Sequence, residues 1–241
     1  MKIKVTSMSG HRIDVMIAEW AKRALLLVGE EIVEDDSYDV IIVTNGFLND
    51  RLVMEMTDAQ YAIYMWDDYD LPVTKNTGVI CQAKNGWGRL DTEYFPIAQL
   101  AVFDKLWDKP IAAFKYYDLV YGGTYKKIRE EQYKKHIPNN PTTLLIGNDK
   151  EWDAWDKTTR LPTIKNMDAL YKVMAMATYT LILEDPKHNG VSVPLRYYEA
   201  KFCNISALPV SDKVFGNMEV THSLDKLDVA TRFKETIWKL I

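Results

Sequence analysis

The strongest constraint on this chain is how its apolar residues are grouped. Short apolar runs alternate with longer stretches in which apolar residues recur at helical spacing, and that order folds into α/β units. Lys2 to Thr6, Asp39 to Thr44, Tyr61 to Trp66, Gly78 to Ala83, Asp118 to Tyr121, Thr143 to Ile146, Tyr179 to Leu183 and Ile205 to Val210 read as strands. Ile13 to Val28, Tyr125 to His136, Met167 to Met176, Pro194 to Cys203 and Val229 to Ile241 read as helices. Two α/β halves meeting between residues 100 and 116 follow, with no low-complexity linker between them. We expect a first domain over residues 1–110, a second over 111–225, and a C-terminal helix, 226–241, that returns to the first. In such folds ligands sit at the C-terminal ends of the strands, here in a cleft shared by the halves.

Composition excludes several classes. In a chain of 241 residues, 47% hydrophobic and 12% aromatic content supports a real core and argues against disorder. No apolar run reaches the ~18 residues of a spanning helix, and Met1 to Val5 reads as a strand rather than a signal peptide. Cys81 and Cys203 lie far apart without metal-ligand company, so buried, reduced thiols in a cytoplasmic monomer are expected. The net charge of −4 carries no global nucleic-acid signature, so a polyanion surface would be local. Lys126, Lys127, Arg129, Lys134, Lys135 and His136 offer one such patch, and Lys75, Lys84 and Arg89 a weaker one. There is no G-x-G-x-x-G fingerprint and no G-x-S-x-G elbow, and His11, His136, His188 and His222 have no metal-ligand spacing.

Four constellations could carry chemistry. Leu119 to Tyr121 runs into Gly122-Gly123 and then a basic stretch with Thr124, Lys126 and Arg129. Glycines let backbone approach a ligand, and a helix start favours an anion, with Thr124 as its cap. An ordinary strand-to-helix turn with a solvated basic face gives the same pattern. Asp67, Asp68, Tyr69 and Asp70 follow the apolar run ending at Trp66, which puts carboxylates at a strand C-terminus. There one could act as general base, or the group could hold Mg or Mn; Asp68-x-Asp70 matches the short D-x-D metal motif of one class of sugar transferases. An acidic turn is the alternative. Arg196 and Glu199 are an i, i+3 pair near a helix start: an arginine fork suits a phosphate and a carboxylate suits two ribose hydroxyls, while a surface salt bridge has the same spacing. Gly147-Asn148 and Leu161 to Lys165, with Ile164, could read and cover a planar base.

In order along the chain these residues resemble the DNA β-glucosyltransferase family of T-even bacteriophages, which has the GT-B fold. The motifs are Asp68-x-x-Leu71-Pro72, Glu93-Tyr94-Phe95-Pro96-Ile97, Tyr121-Gly122-Gly123-Thr124-Tyr125 with Arg129-Glu130, Gly147-Asn148, and Leu195-Arg196-x-x-Glu199. They span roughly residues 60 to 200; the first 60 residues and the tail agree only in pattern. The resemblance implies two Rossmann-like domains facing across a cleft and transfer of glucose from UDP-glucose to 5-hydroxymethylcytosine in duplex DNA. It implies Asp68 as the base of a single inverting displacement, with Asp67, Tyr69 and Asp70 on the acceptor side. Gly123, Thr124, Lys126 and Arg129 would hold the UDP phosphates, Arg196 and Glu199 a phosphate and the ribose, and Gly147 and Ile164 the uracil. The acceptor base would be rotated out of the duplex.

The chain departs from the family at Lys126, where the family has arginine, and at Asp70, where it has a basic residue. The loop before Arg129 is one residue shorter, and the chain as a whole is shorter, mostly in its first half. Two other readings stand beside this one. One is a UDP-sugar-dependent GT-B transferase with a non-DNA acceptor; the other is a nucleotide- or DNA-binding module without turnover.

Overall fold

The computed structural model describes residues 1–7, 12–44, 55–56, 58–66, 77–81, 92–108, 111, 113–123, 125–147, 152–186, 188–216 and 223–241. In chain order the elements are β1 (Lys2–Ser7), α1 (Arg12–Leu27), β2 (Glu31–Ile32), β3 (Val40–Thr44), β4 (Tyr61–Trp66), β5 (Thr77–Cys81), β6 (Thr92–Tyr94) and a 3-10 helix (Ile97–Phe103). They continue with β7 (Tyr117–Gly122), a 3-10 turn (Lys127–Arg129), α2 (Glu130–His136), β8 (Thr143–Ile146), β9 (Thr159–Leu161) and α3 (Met167–Met174). β10 (Ala177–Ile182), α4 (Leu195–Phe202), β11 (Ser206–Pro209) and α5 (Lys226–Trp238) complete the chain. Two compact units result: Met1–Lys105 with Val191–Val193 and Glu219–Ile241, and Leu106–Gly190 with Pro194–Met218.

The first unit is built on a six-stranded sheet of order β2-β1-β3-β4-β5-β6. All of its pairings are parallel, for example Ile3 with Val40 and Val40 with Tyr61. β3 is buried at every position; each of Val40, Ile41, Ile42 and Val43 contributes about 1.5–3 kcal/mol by leaving water. From α1, Trp20, Ala21, Ala24 and Leu25 are buried, and the helix packs on β1, β3, the 3-10 helix and α5. α5 starts where the Asp225 side chain accepts from the Asp228 N–H at 3.0 Å. It buries Val229, Ala230, Phe233 and Ile237 on one face. The Phe95 and Phe233 rings lie 5.1 Å apart, Lys234 pairs with Glu30 at 2.6 Å, and Leu240 closes over Gly78. The buried Gln99 amide accepts from Arg232 Nη2 at 3.0 Å and donates to the Ser223 carbonyl.

The second unit is built on a five-stranded sheet of order β11-β10-β7-β8-β9, again parallel throughout. Alternate residues of one strand feed opposite faces. Val120 joins Leu144, Ile146, Tyr171, Met174, Ala200 and Cys203 under α3 and α4. Leu119 and Tyr121 join Leu145, Leu181, Tyr133, Trp152 and Trp155 on the other face. The chain passes from β7 outward to β8 and β9, then returns to β10 on the other flank of β7. The strand order therefore reverses between β7 and β10.

Three departures from the sequence reading have physical causes. β2, β6 and β9 have two or three residues each, too few to establish an alternation. The 3-10 helix is buried at every position, so it has no polar face to betray its period. The helix expected from Tyr125 starts later. Lys126 is extended at φ −119 and ψ 117, the 3-10 turn follows, and α2 begins at Glu130. Here aromatic burial outweighs helix propensity: the Tyr125 ring packs 5.0 Å from Tyr133 and 5.3 Å from Trp152, and the Lys126 N–H donates to Tyr133 Oη at 3.2 Å. Lys126 and Arg129 occupy the two N-cap positions and neither makes a side-chain cap; the cap expected of Thr124 falls on a residue outside the described ones.

Candidate functional site

In a parallel α/β sheet the point where strand order reverses leaves a crevice at the strand C-termini, because the connections on either side run in opposite directions. In the second unit that point lies where β7 and β10 end. β7 ends at Gly122 and Gly123, and Gly123 has φ +147, a conformation open to glycine. Its N–H donates to the Ile146 carbonyl at 3.0 Å, and the Gly147 N–H donates to the Leu161 carbonyl at 3.0 Å. The ladder thus runs one residue beyond the strands. A Cβ on Gly147 would lie 2.9 Å from the Gly123 oxygen and 3.0 Å from Trp152 Nε1, so the two ends converge only without a side chain there. The Trp152 indole N–H is buried and has no hydrogen-bond partner.

α4 brings a cation and an anion to the same place. Arg196 donates from Nη2 to the Gly122 carbonyl at 2.5 Å and from Nη1 to Met174 Sδ at 3.7 Å. Arg196 Nη1 also stands 3.3 Å from Glu199 Oε2. Glu199 is only 9% exposed, so this i, i+3 pair faces inward rather than decorating the surface. Burial pushes the neighbouring Tyr121 phenol well above its ordinary value; nearby Tyr133 adds to this and Arg196 opposes it.

From the start of α2, Arg129 Nη2 pairs with Asp185 Oδ2, in the loop after β10. The Arg129 side chain makes no other hydrogen bond or ion pair among the described residues, while its N–H donates to the Lys126 carbonyl at 2.8 Å. Lys126 is exposed and forms no ion pair among them. Ile164 packs with Leu161 against the apolar cluster under α3.

The structure therefore brings Gly123, Gly147, Arg196 and Glu199 to one sheet edge and sets Arg129 on the neighbouring strand-end loop. Lys126 meets Arg129 through its backbone carbonyl, and Ile164 belongs to the apolar cluster that includes Ile146 and Ala200. Thr124, Asp67, Asp68, Tyr69 and Asp70 lie outside the described residues. Asp185 was not singled out from the sequence; the signal for it is a carboxylate just after the strand that flanks β7 at the reversal. Both cysteines are free and buried, as expected. Among the described residues no group of three His, Cys, Asp or Glu could hold a metal ion, and no helix is long and apolar enough to cross a membrane.

Two all-parallel sheets, each flanked by helices, define a GT-B fold of two Rossmann-like units. The solved structures that share it carry the comparison further. The chain is similar to the DNA-modifying enzyme beta-glucosyltransferase, solved in the presence and absence of its substrate uridine diphosphoglucose. That match has 17% identity and a TM-score of 0.68 over 98% of this chain and 89% of that one. It is similar to the T4 phage enzyme in complex with UDP and Mn2+, at 17% identity and a TM-score of 0.62 over 99% and 90%. An alpha-glucosyltransferase in complex with UDP and a 13-mer DNA containing an HMU base matches at 8% identity and a TM-score of 0.58 over 98% and 90%. No family model matches the sequence, and no curated protein matches it. At these identities the likeness is one of fold, and it falls on the family that the motifs resemble.

Proposed function

We propose that this chain is a UDP-sugar-dependent glycosyltransferase that moves a sugar, glucose in the first instance, onto the hydroxyl of a modified pyrimidine in duplex DNA. The observation that carries the reading is the inward-facing Arg196–Glu199 pair beside the Gly122-Gly123 turn, at the strand reversal of a chain whose fold is shared by enzymes solved with UDP or uridine diphosphoglucose. An arginine fork and a nearby cation answer a diphosphate, and a carboxylate held at a fixed point accepts from ribose hydroxyls.

On this reading the second unit binds the donor and the first, residues 1–110 of the sequence division, serves the acceptor. Arg196, Arg129, Lys126 and Thr124 meet the phosphates along the turn that Gly123 opens. Glu199 takes the ribose, and Gly147 and Ile164 meet the uracil. Asp68, with Asp67, Tyr69 and Asp70 beside it, takes the proton from the acceptor hydroxyl as its oxygen attacks the anomeric carbon. The bond to UDP breaks in the same step, inverting the anomeric centre, and the charge that develops on the leaving diphosphate falls on Arg129 and Lys126. Duplex DNA presents the base by extruding it from the stack. A Mg or Mn ion, such as the T4 phage enzyme holds beside UDP, would add to the positive charge that these side chains bring to the diphosphate. The setting this implies is the cytoplasm of a phage-infected cell, where UDP-sugars and phage DNA meet.

Calorimetric titration with UDP tests the donor site. Arg196→Ala and Glu199→Ala should each weaken binding about tenfold or more, the cost of one charged hydrogen-bond partner; unaltered affinity removes them from the site. A non-DNA acceptor is the second reading, favoured by the net charge of −4. Salt separates the two, because phosphate neutralisation makes duplex affinity fall steeply with salt.

A further inference from the structure

The ion pair of Arg129 with Asp185 joins the two strand-end loops on either side of the reversal: Arg129 follows β7 and Asp185 follows β10. It is more constrained than a surface pair. Both side chains are mostly covered, at 20% and 28% exposure, and the backbone on each side is fixed. From α2, Gln132 offers its amide both ways to Glu184: Oε1 accepts from the Glu184 N–H at 2.8 Å, and Nε2 donates to the Glu184 carbonyl at 3.2 Å. The Glu184 carboxylate accepts from Ser211 Oγ at 2.5 Å. The Asp185 N–H donates to Asn189 Oδ1 at 2.9 Å, and the His188 and Asn189 N–H groups donate to the Asp185 carbonyl at 2.9 and 2.8 Å. The backbone that carries the Asp185 carboxylate is thus held in register with α2 by hydrogen bonds that neither Arg129 nor a ligand supplies.

Asp185 engages one nitrogen of the guanidinium, which leaves Nε and Nη1 of the planar fork for another anion. We propose that Asp185 is a positioning residue for the donor diphosphate: it fixes the Arg129 fork in the crevice with its remaining donors available to phosphate oxygens. This rests on the UDP-sugar reading above. Two opposing effects decide the sign. A free arginine loses its rotamers when it grips a phosphate, and Asp185 has already removed that freedom. The carboxylate also repels the diphosphate, but through water that repulsion is weak and screened by salt. Positioning wins, so removing Asp185 weakens UDP binding.

The test is a double-mutant cycle read by UDP calorimetry, with uridine titrated by NMR as the phosphate-free control. Asp185→Ala should weaken UDP about tenfold while leaving uridine within twofold. Asp185→Glu, which keeps the charge, should recover part of the loss. In an Arg129→Ala background Asp185→Ala should change UDP affinity by less than twofold, because the group it positions is gone. Unchanged or tighter UDP binding by Asp185→Ala overturns the proposal, as does an equal loss toward UDP and uridine, which would report general damage to the loop. Wild-type protein that binds no UDP overturns the donor reading itself, a result distinct from wild-type binding that Asp185→Ala leaves intact.

Discussion

Gly147 shows how closely the candidate site is drawn at the scale of one residue. A methyl group there meets the Gly123 carbonyl oxygen at 2.9 Å and the Trp152 indole nitrogen at 3.0 Å, and the first of these is backbone that cannot rotate aside. Gly147→Ala should lower stability by about 1–3 kcal/mol, the usual cost of forcing an extra carbon into a packed place, and weaken UDP binding in parallel. Denaturant unfolding and calorimetry check both; wild-type values in both would show that the corner can yield. The sequence allowed this residue to be read as a strand-end glycine but not why it must be one, since Trp152 and Gly123 reach it through the fold. Arg196 and Glu199 were legible because their spacing on one helix face is local information. Asp185 was not, because its partner Arg129 lies 56 positions away and only the order of strands brings the two loops together.

Among the elements, the helices were the legible part and the short strands were not. α1, α3, α4 and α5 follow from apolar periodicity, with their ends displaced by a few residues. At the start of α2 local propensity was outweighed by burial of Tyr125 against Tyr133 and Trp152. β2, β6 and β9 owe their existence to a neighbouring strand already in place. α3 offers a direct check on how such an element is held. The Asn166 side chain accepts from the Ala169 N–H at 3.0 Å at its start. Asn166→Ala should cost about 1 kcal/mol of stability, the typical worth of an N-cap, and Asn166→Asp, which keeps the acceptor, should restore it. Denaturant midpoints for the three proteins decide the matter, and no loss in the alanine variant would show that the cap is redundant.

For the whole molecule, both units bury groups that must stay protonated. Burial pushes the Cys203 thiol up to about 12 from 9.0, with Glu199 adding to the shift. Burial likewise pushes the Tyr94 phenol up to about 12 from 10.0. A folded pKa above the unfolded one favours the folded state below the unfolded pKa, and the advantage disappears as pH rises through the folded value. Stability should therefore be level through neutral pH and fall between about 9 and about 12. Thermal unfolding across that range checks it, and Cys203→Ser, whose hydroxyl does not titrate there, should flatten part of the decline. The α/β class and the motif order could be read from the chain because they are serial properties. The reversal between β7 and β10 could not, since it depends on which flank of β7 the returning strand takes.

The central claim is that this chain builds a UDP-sugar site and uses it on DNA. The most direct measurement is to incubate the protein with UDP-glucose and duplex DNA containing 5-hydroxymethylcytosine, digest the DNA to nucleosides, and read their masses. The account predicts a nucleoside heavier by one hexose residue, absent with Asp68→Asn although that variant still binds UDP. UDP binding with unmodified nucleosides, for this duplex and for one carrying 5-hydroxymethyluracil, and across several UDP-sugars, would contradict it.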